Sequence, residues 1–280
     1  MLVSELLISG SKRLKEKNIK SHLLDSELIL SSLLNKKREN LLLSNDLKLP
    51  KDKIFNFNQL INRRLKNEPM AYILKKKSFW NSDFFVNNNT LIPRPETELL
   101  VEKIVDYYSN NKIFILDVGT GSGCILISIL EELKNSKGIG IDLSKKAIEV
   151  AIINAKNSLA CNRIKFIKKS ISSNFYNKFD LIVSNPPYIC NHEIISLPKD
   201  IKNFEPKIAL DGGKDGLDVI EKVIYKAKDI LKINGMLALE VGYGQYKKVS
   251  QILRKKRFRE KFLIKDYQNN IRCILSVLDI

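Results

Sequence analysis

The sequence predicts an α/β protein in which a small helical N-terminal domain precedes a doubly wound, mostly parallel sheet. Two observations carry this prediction. Apolar, β-prone runs alternate with helical segments from about residue 96 to residue 241, an order typical of a parallel sheet with helices on both faces. The residues before them show helical apolar spacing without strands. At 280 residues the chain is long enough for two domains.

Residues 1–74 are expected to form a helical bundle. One helix begins near the N-terminus, a second covers residues 22–34 with Ser21 as a candidate cap, and a third follows Pro50. Their apolar stripes are carried by Leu2, Leu6, Leu7, Ile54, Phe57, Ile61 and Leu65.

Residues 75–92 mix aromatic side chains with a polar turn at 81–83, which predicts a hairpin linker. The second domain then runs over residues 93–280 and opens with a helix at 96–108. At its end, residues 258–264 and 271–278 flank a polar turn at Asn269 and Asn270, which predicts a final hairpin with one antiparallel strand.

Composition indicates the compartment. No apolar run reaches the length of a membrane helix, and the N-terminus lacks the charged-then-apolar order of a signal peptide, so we expect a cytoplasmic protein with no membrane contact. The four cysteines and two histidines are scattered, so we expect no disulfide and no metal.

The chain carries a formal net charge of +17, which ordinarily suggests a polyanionic partner. Lysine, asparagine and isoleucine are all abundant, however, as an AT-rich coding sequence would produce. No aromatic ladder accompanies the basic runs at 75–77 and 254–259, so we interpret them as solvated surface and expect no direct binding of nucleic acid.

A glycine-rich loop follows the strand predicted at 113–116 and precedes a helix predicted at 124–133. Such a loop lets backbone amides approach a nucleotide-like ligand at a helix N-terminus. Dinucleotide sites have glycine at the first, third and sixth positions, whereas here the third glycine falls on the fifth, which argues against NAD. The candidate cofactor residues in this loop are Gly119, Thr120, Gly121, Ser122 and Gly123.

Asp142 ends the strand predicted at 138–141 and lies 19 residues after Gly123, where an acid should meet ribose hydroxyls. We interpret it as a cofactor ligand. The alternative is that Asp142 caps the helix predicted at 145–157, a role that Ser144 would fill equally well.

Asn185, Pro186, Pro187 and Tyr188 follow an apolar run at 179–183 that predicts a buried parallel strand. Two prolines remove backbone donors, so this loop presents carbonyl acceptors together with the Asn185 amide. Carbonyls that accept both hydrogens of a planar NH2 group hold that nitrogen for reaction. With the glycine loop and the spaced acid upstream, the order is the one that an S-adenosylmethionine-dependent nitrogen methyltransferase needs.

Longer motifs point to the same chemistry, and they begin at about Glu68 and run to the C-terminus. With them, the chain resembles the HemK-like family of peptide chain release factor N5-glutamine methyltransferases. The motifs are Pro69-Met70-Ala71-Tyr72-Ile73, Leu91-Ile92-Pro93-Arg94-Pro95-Glu96-Thr97-Glu98, Ser184-Asn185-Pro186-Pro187-Tyr188, Glu205-Pro206 with Ala209-Leu210, Gly212-Gly213 with Asp215-Gly216-Leu217, and Glu240-Val241-Gly242.

The resemblance implies a Rossmann-like class I methyltransferase sheet, S-adenosyl-L-methionine as cofactor, and methylation of the glutamine in the Gly-Gly-Gln tip of release factors. It also implies that the N-terminal domain helps to recognise the release factor. We expect a monomer. The chain departs from the family at Lys75 and Asn81, where glycines are usual, and at Ser170 and Ile171, where an acid and an aromatic residue usually lie near the adenine.

Within this prediction Asn185 and the Pro186 carbonyl bind the two amide hydrogens, and Ile171 packs on the purine or belongs to the core. Tyr188 covers the amide with its ring, or its hydroxyl makes a structural hydrogen bond. Arg94, Glu96 and Thr97 shape the cofactor entrance, or form a surface ion pair and a helix start. Two other functions remain open: methylation of an exocyclic amine of adenine or guanine in nucleic acid, and non-catalytic binding to the ribosome.

Overall fold

The computed structural model describes residues 1–44 and 46–279, which form two compact units. The first comprises Met1–Lys76 and Lys199–Phe204, and the second comprises Lys77–Pro198 and the described residues from Glu205 onward. The helices are α1 (Val3–Glu16), α2 (His22–Leu34), α3 (Arg38–Leu42), α4 (Lys51–Leu65), α5 (Met70–Leu74), α6 (Glu96–Tyr108), α7 (Cys124–Glu132), α8 (Lys145–Lys156), α9 (Lys199–Phe204), α10 (Asp218–Ile230) and α11 (Tyr246–Lys255). The strands are β1 (Lys77–Phe79), β2 (Ser82–Phe84), β3 (Phe114–Val118), β4 (Lys137–Asp142), β5 (Ile164–Lys168), β6 (Phe179–Ser184), β7 (Leu231–Glu240), β8 (Phe258–Lys265) and β9 (Ile271–Leu278).

The first unit is helical, as predicted, with a core built from the apolar faces of α1, α2 and α4. A Cβ added at Gly10 would lie 2.6 Å from the Phe57 ring, so the absence of a side chain there lets α1 and α4 pack closely. Ser21 does not cap α2 as predicted. Its hydroxyl instead donates to the buried Asp25 carboxylate, which also pairs with Arg64 at 2.6 Å.

The backbone conformation differs between Lys75 and Asn81, the two positions at which the family usually has glycine. Lys75 follows α5 with φ of +54°, so it adopts the left-handed conformation that glycine favours. In the hairpin Phe79 pairs with Ser82, which places the turn at Trp80 and Asn81 instead of 81–83. Its left-handed residue is Trp80, with φ of +53°.

The second unit contains a seven-stranded sheet in the order β5-β4-β3-β6-β7-β9-β8. All pairs from β5 to β7 are parallel, whereas β9 is antiparallel to both β7 and β8. This confirms the Rossmann-like fold and the final hairpin with one antiparallel strand. Because the chain runs from β3 to β4 on one side and to β6 on the other, the carboxyl ends of these strands border a crevice.

Helices cover both faces of this sheet. One apolar core contains residues of α6 and α7, and the other contains residues of α10 and α11. The helix predicted at 96–108 has those bounds in the structure. Residues of both cores are almost all excluded from water, which makes the sheet a rigid support for the loops at its carboxyl edge.

Among the residues that the structure describes, no helix combines the length and the apolar character that a bilayer span requires. The described ranges also contain no group of three or more His, Cys, Asp and Glu side chains arranged to hold a metal ion.

Candidate active site

A cavity of about 620 Å³ lies in the second unit at the carboxyl ends of β3, β4 and β6. Seven of the eight residues predicted to bind cofactor line it: Gly119, Thr120, Gly121, Ser122, Asp142, Ile171 and Asn185. Pro187 lines it as well, whereas Gly123, Pro186 and Tyr188 are not among its lining residues. The loops that the sequence marked as separate motifs therefore meet at one site.

The glycine loop is open toward this cavity. Gly119 and Gly121 have φ of +73° and +55°, and a Cβ added at Gly119 would have no heavy atom within 4 Å. Gly123 differs, because a Cβ there would lie 3.0 Å from Phe166 and 3.1 Å from Ile127. The first two glycines thus leave space for a ligand, and the third permits close packing of α7.

Asp142 connects the glycine loop with the start of α8. Its Oδ2 accepts the Gly121 N–H at 3.0 Å, and its Oδ1 accepts the Ser144 N–H at 2.8 Å. Ser144 caps α8 by accepting the Ala147 N–H, so the cap function falls to Ser144. Burial raises the pKa of Asp142 while these two backbone donors act to lower it. Each carboxylate oxygen retains capacity for a ligand hydroxyl.

Three further side chains near the cavity are those of Asp117, Ser170 and Ile171. Asp117 is fully buried in β3, and its Oδ2 accepts the Thr120 hydroxyl at 2.6 Å. Burial raises the pKa of Asp117 to about 7, and the nearby Asp142 charge adds to that rise. Ser170 and Ile171 follow β5 and line the cavity wall, with Ile171 itself buried.

The Asn185 loop is held by segments far away in the chain. The Tyr188 carbonyl accepts the Gln245 Nε2 at 2.9 Å, and Gln245 Oε1 accepts the Gly242 N–H at 2.9 Å. A Cβ added at Gly216 would lie 2.3 Å from that same Tyr188 carbonyl. The motifs around Gly216 and Gly242 therefore support the loop; they do not line the cavity.

A buried polar cluster lies behind Asn185, and sequence reasoning did not assemble it. Asn185 Nδ2 contacts the Thr97 hydroxyl at 3.2 Å, and that hydroxyl donates to Glu240 Oε2 at 2.6 Å. On the other side, the Tyr188 hydroxyl contacts Glu240 Oε1 at 3.4 Å and accepts from Arg272 at 3.1 Å. Tyr188 thus makes the structural hydrogen bond that was its alternative role, and burial raises its pKa to about 12.

Arg94 lines the cavity and pairs with Glu205 at 2.7 Å. The Glu205 side chain is only 1% exposed, so this pair is not the Arg94–Glu96 surface pair considered from the sequence. Thr97 and Arg94 belong to the motif that the sequence had singled out, but the carboxylates that they contact lie more than a hundred positions away.

Comparison with known proteins identifies the family. Residues 5–74 match the family described as the PrmC N-terminal domain, and residues 109–251 match one described as a methyltransferase domain. The chain is 37% identical to the release factor glutamine methyltransferase of Clostridium acetobutylicum, with 99% of each chain covered. The chain belongs to the release factor glutamine methyltransferase family.

This membership confirms the resemblance predicted from the motifs, the methyltransferase class and S-adenosylmethionine as cofactor. Another relative, the bifunctional methyltransferase of Rickettsia conorii, is 36% identical over 98% of this chain and 57% of its own length. A methyltransferase structure from Pyrococcus furiosus is 17% identical and aligns with a TM-score of 0.55 over 78% of this chain and 99% of that chain, which shows the shared fold.

The donor set of the cavity fits this cofactor. The Asp142 carboxylate could accept ribose hydroxyls, Ile171 could contact a purine face, and the glycine loop has open space around Gly119. The cavity volume of about 620 Å³ also lies in the range of small-molecule sites.

Proposed function

We propose that this protein methylates the side-chain amide nitrogen (N5) of the glutamine in the Gly-Gly-Gln tip of peptide chain release factors and thereby supports translation termination. Full-length similarity to relatives named release factor glutamine methyltransferase supports the substrate. The structural observation that carries the proposal is that Asn185 and Pro187 line the same cavity as the glycine loop and Asp142. A substrate amide at this loop would face a ligand bound between Gly119 and Asp142.

In this mechanism the residues around the cavity bind and orient. S-adenosylmethionine supplies a methyl group on a sulfonium sulfur. Asp142 would accept the ribose hydroxyls, Ile171 would pack against the adenine, and Gly119 and Gly121 leave room for the ligand. Thr120 and Ser122 complete this wall, while Gly123 supports it by letting α7 pack against its neighbours.

The substrate amide is held by acceptors. We assign Asn185 Oδ1 and the Pro186 carbonyl as the acceptors of its two hydrogens. Asn185 and Pro187 line the cavity directly, and Pro186 lies between them in the chain. The nitrogen–methyl bond forms as the sulfur–methyl bond breaks, which leaves a neutral thioether, and these dipoles stabilise the positive charge that develops on nitrogen. The methylated nitrogen then loses one proton to water. Most of the rate gain comes from positioning and electrostatics, and no general base is required. Tyr188 keeps the loop in place through its hydroxyl and its carbonyl.

The proposal also assigns a role to each domain of the chain. Residues 1–74, which include the match to the PrmC N-terminal domain, recognise the release factor. Residues 75–92 act as the linker, and residues 93–280 are the catalytic domain. The enzyme works as a monomer in the cytoplasm, where release factors act, and makes no required contact with nucleic acid or membrane.

The test is methyl transfer from labelled S-adenosylmethionine to a purified release factor. A copy with its tip glutamine replaced and total ribosomal RNA are assayed beside it. Label on the intact factor and none on the replaced copy is the expected result. Label on RNA alone would support the nucleic-acid alternative, and would give the net charge of +17 a functional meaning. Absence of cofactor binding by calorimetry would support the non-catalytic alternative.

A further inference from the structure

Each hydrogen bond in the buried cluster behind Asn185 has a defined donor and a defined acceptor. Thr97 borders the cavity but is only 2% exposed, and Glu240 is 0% exposed, so the hydrogen bonds of both side chains are made mainly to protein groups. Glu240 Oε2 lies 2.6 Å from the Thr97 hydroxyl, which in turn lies 3.2 Å from Asn185 Nδ2. A side-chain amide can present either its NH2 group or its carbonyl oxygen to such a hydroxyl, so the chemistry of the cluster decides between two orientations.

The contacts at Glu240 Oε1 determine where the Tyr188 hydroxyl proton is donated. Arg272 only donates, and its guanidinium contacts the Tyr188 hydroxyl at 3.1 Å and lies 3.8 Å from Glu240 Oε1. The Tyr188 proton is therefore directed to Glu240. Burial raises the pKa of Glu240, and the Thr97 hydroxyl, the Arg272 charge and the Tyr188 hydroxyl oppose that rise. The geometry around Glu240 suits an ionised carboxylate, because the Arg272 cation lies beside it and one hydroxyl donates to each of its oxygens. The orientation derived below applies to this ionised form.

Counting protons then orients Asn185. The Thr97 hydroxyl has one proton and gives it to Glu240, so toward Asn185 it can only accept. The Asn185 NH2 group must therefore face Thr97, which leaves Oδ1 on the other branch of the amide. Among the described residues no donor contacts Asn185 Oδ1, and Asn185 lines the cavity.

We propose that Thr97 and Glu240 are positioning residues that hold the Asn185 amide in the single orientation that directs Oδ1 into the cavity. The inference rests on the proposed function, because an NH2 substrate needs an acceptor at this point. In the opposite orientation the Asn185 NH2 group would face the NH2 group of the substrate. Neither Thr97 nor Glu240 has to touch the substrate for this effect.

An isosteric change at Glu240 tests this directly. In Glu240→Gln, the arrangement that satisfies the most donors turns the new NH2 group toward Thr97 and its carbonyl toward Tyr188. The Thr97 proton is then free to point at Asn185, which reverses the Asn185 amide. We expect kcat to fall by about tenfold or more, with the Kd for S-adenosylmethionine within about twofold of wild type.

A compensating change distinguishes polarity from packing. In Asn185→Asp, the introduced carboxylate meets a Thr97 hydroxyl whose proton is already given to Glu240, so two acceptors compete. In the Glu240→Gln background the Thr97 proton is available, and the introduced carboxylate would accept it on one oxygen and present the other to the cavity. Asn185→Asp should therefore lower kcat relative to wild type. When it is added to Glu240→Gln, it should raise kcat about tenfold relative to the Glu240→Gln single variant.

A second pair of variants tests Thr97 without altering the carboxylate. Thr97→Ser retains the hydroxyl and should keep kcat within about threefold of wild type, whereas the isosteric Thr97→Val should lower kcat by about tenfold or more. Circular dichroism of all variants verifies folding. Equal activity of Thr97→Val and Thr97→Ser would contradict the inference.

The complete experiment measures kcat and KM on a release factor for the four members of the Glu240–Asn185 cycle. It also records the nuclear Overhauser effect between the Asn185 NH2 protons and the Thr97 methyl group in asparagine-labelled protein. We expect this signal in wild type and its loss in Glu240→Gln. An inactive wild-type protein would contradict only the proposed function, since the NMR signal still reports the orientation. Additive kcat effects in an active protein, or an unchanged NMR signal in Glu240→Gln, would overturn the inference.

Discussion

The Arg94 guanidinium lies 2.7 Å from the Glu205 carboxylate, although 111 positions separate the two residues. The pair joins the segment that follows the hairpin to the segment that precedes α10, and both segments line the cavity. Because the Glu205 carboxylate is buried, loss of this pair should lower the free energy of unfolding more than loss of an exposed ion pair does.

Removal of the Arg94 charge should destabilise the second unit. Arg94→Met removes a cation that lies 2.7 Å from the buried Glu205 carboxylate, and we expect the free energy of unfolding to fall by about 3 kcal/mol. Urea unfolding followed by fluorescence of Trp80, the single tryptophan, measures this unit. The matched control is Arg259→Met, whose pair with Asp279 is exposed and should contribute less than about 1 kcal/mol. Equal losses in both variants would contradict the prediction.

Asp142→Asn should weaken cofactor binding. Both Asp142 oxygens accept backbone N–H groups, so an amide would place an NH2 group against either Gly121 or Ser144. We expect the Kd for S-adenosylmethionine, measured by calorimetry, to rise by about 10- to 100-fold. Asp180→Asn is a matched control, because Asp180 also accepts a backbone N–H but lies near the amino end of β6, away from the cavity. The prediction fails if both variants bind equally well.

Asn185→Ala should separate chemistry from cofactor binding. Its proposed role is to accept a hydrogen of the substrate amide, so kcat/KM should fall by about 100-fold or more while the Kd for S-adenosylmethionine stays within about threefold. Stopped-assay kinetics and calorimetry on the same preparation provide both values. Turnover equal to wild type would exclude Asn185 from the reaction.

Asp117 should make stability depend on pH. Burial raises the pKa of Asp117 from 3.8 to about 7, so the folded state favours the protonated carboxyl. Its stabilising contribution is fully present below the ordinary value and is lost as the pH rises through about 7. Compared with Asp117→Asn, the wild type should therefore lose stability between about pH 4 and about pH 8. Urea midpoints read from Trp80 fluorescence test this. A constant difference between the two proteins would contradict it, and the exposed-site variant Asp106→Asn should follow the wild-type profile.

Lys75→Gly should stabilise the first unit. Lys75 has a φ of +54°, a conformation in which a side chain is strained, and glycine removes that strain at a gain of about 1 kcal/mol. The control is Lys76→Gly, because Lys76 is not among the residues with positive φ and glycine there only adds flexibility. Helical unfolding followed by circular dichroism compares the two. A loss of stability in both would show that the Lys75 backbone is unstrained.

Local patterns predicted most of the fold because they report local forces. The bounds of α2 and α6 follow from apolar spacing, and the glycine loop follows from its own conformational needs. The cluster around Glu240 could not be assembled in this way, since Thr97 lies 143 positions from Glu240. Thr97 lies on α6 and Glu240 on β7, so their contact depends on how α6 packs on the assembled sheet.

Two smaller errors have related causes. Ser21 has the right residue type for a cap, but its hydroxyl is used by the buried Asp25 carboxylate. The hairpin turn covers residues 80–81 instead of 81–83, because the strand pairing of Phe79 with Ser82 sets its position. Gln245, which holds the Tyr188 carbonyl, lies outside every motif and had no local signal.

The most direct measurement is tandem mass spectrometry of the tip peptide of a release factor after incubation with the protein and S-adenosylmethionine. We predict one added methyl group on the glutamine of the Gly-Gly-Gln sequence, and none when Asn185→Ala replaces the wild-type protein under identical conditions. An unmodified tip glutamine, with the methyl group found on another residue or on RNA, would contradict the proposed function.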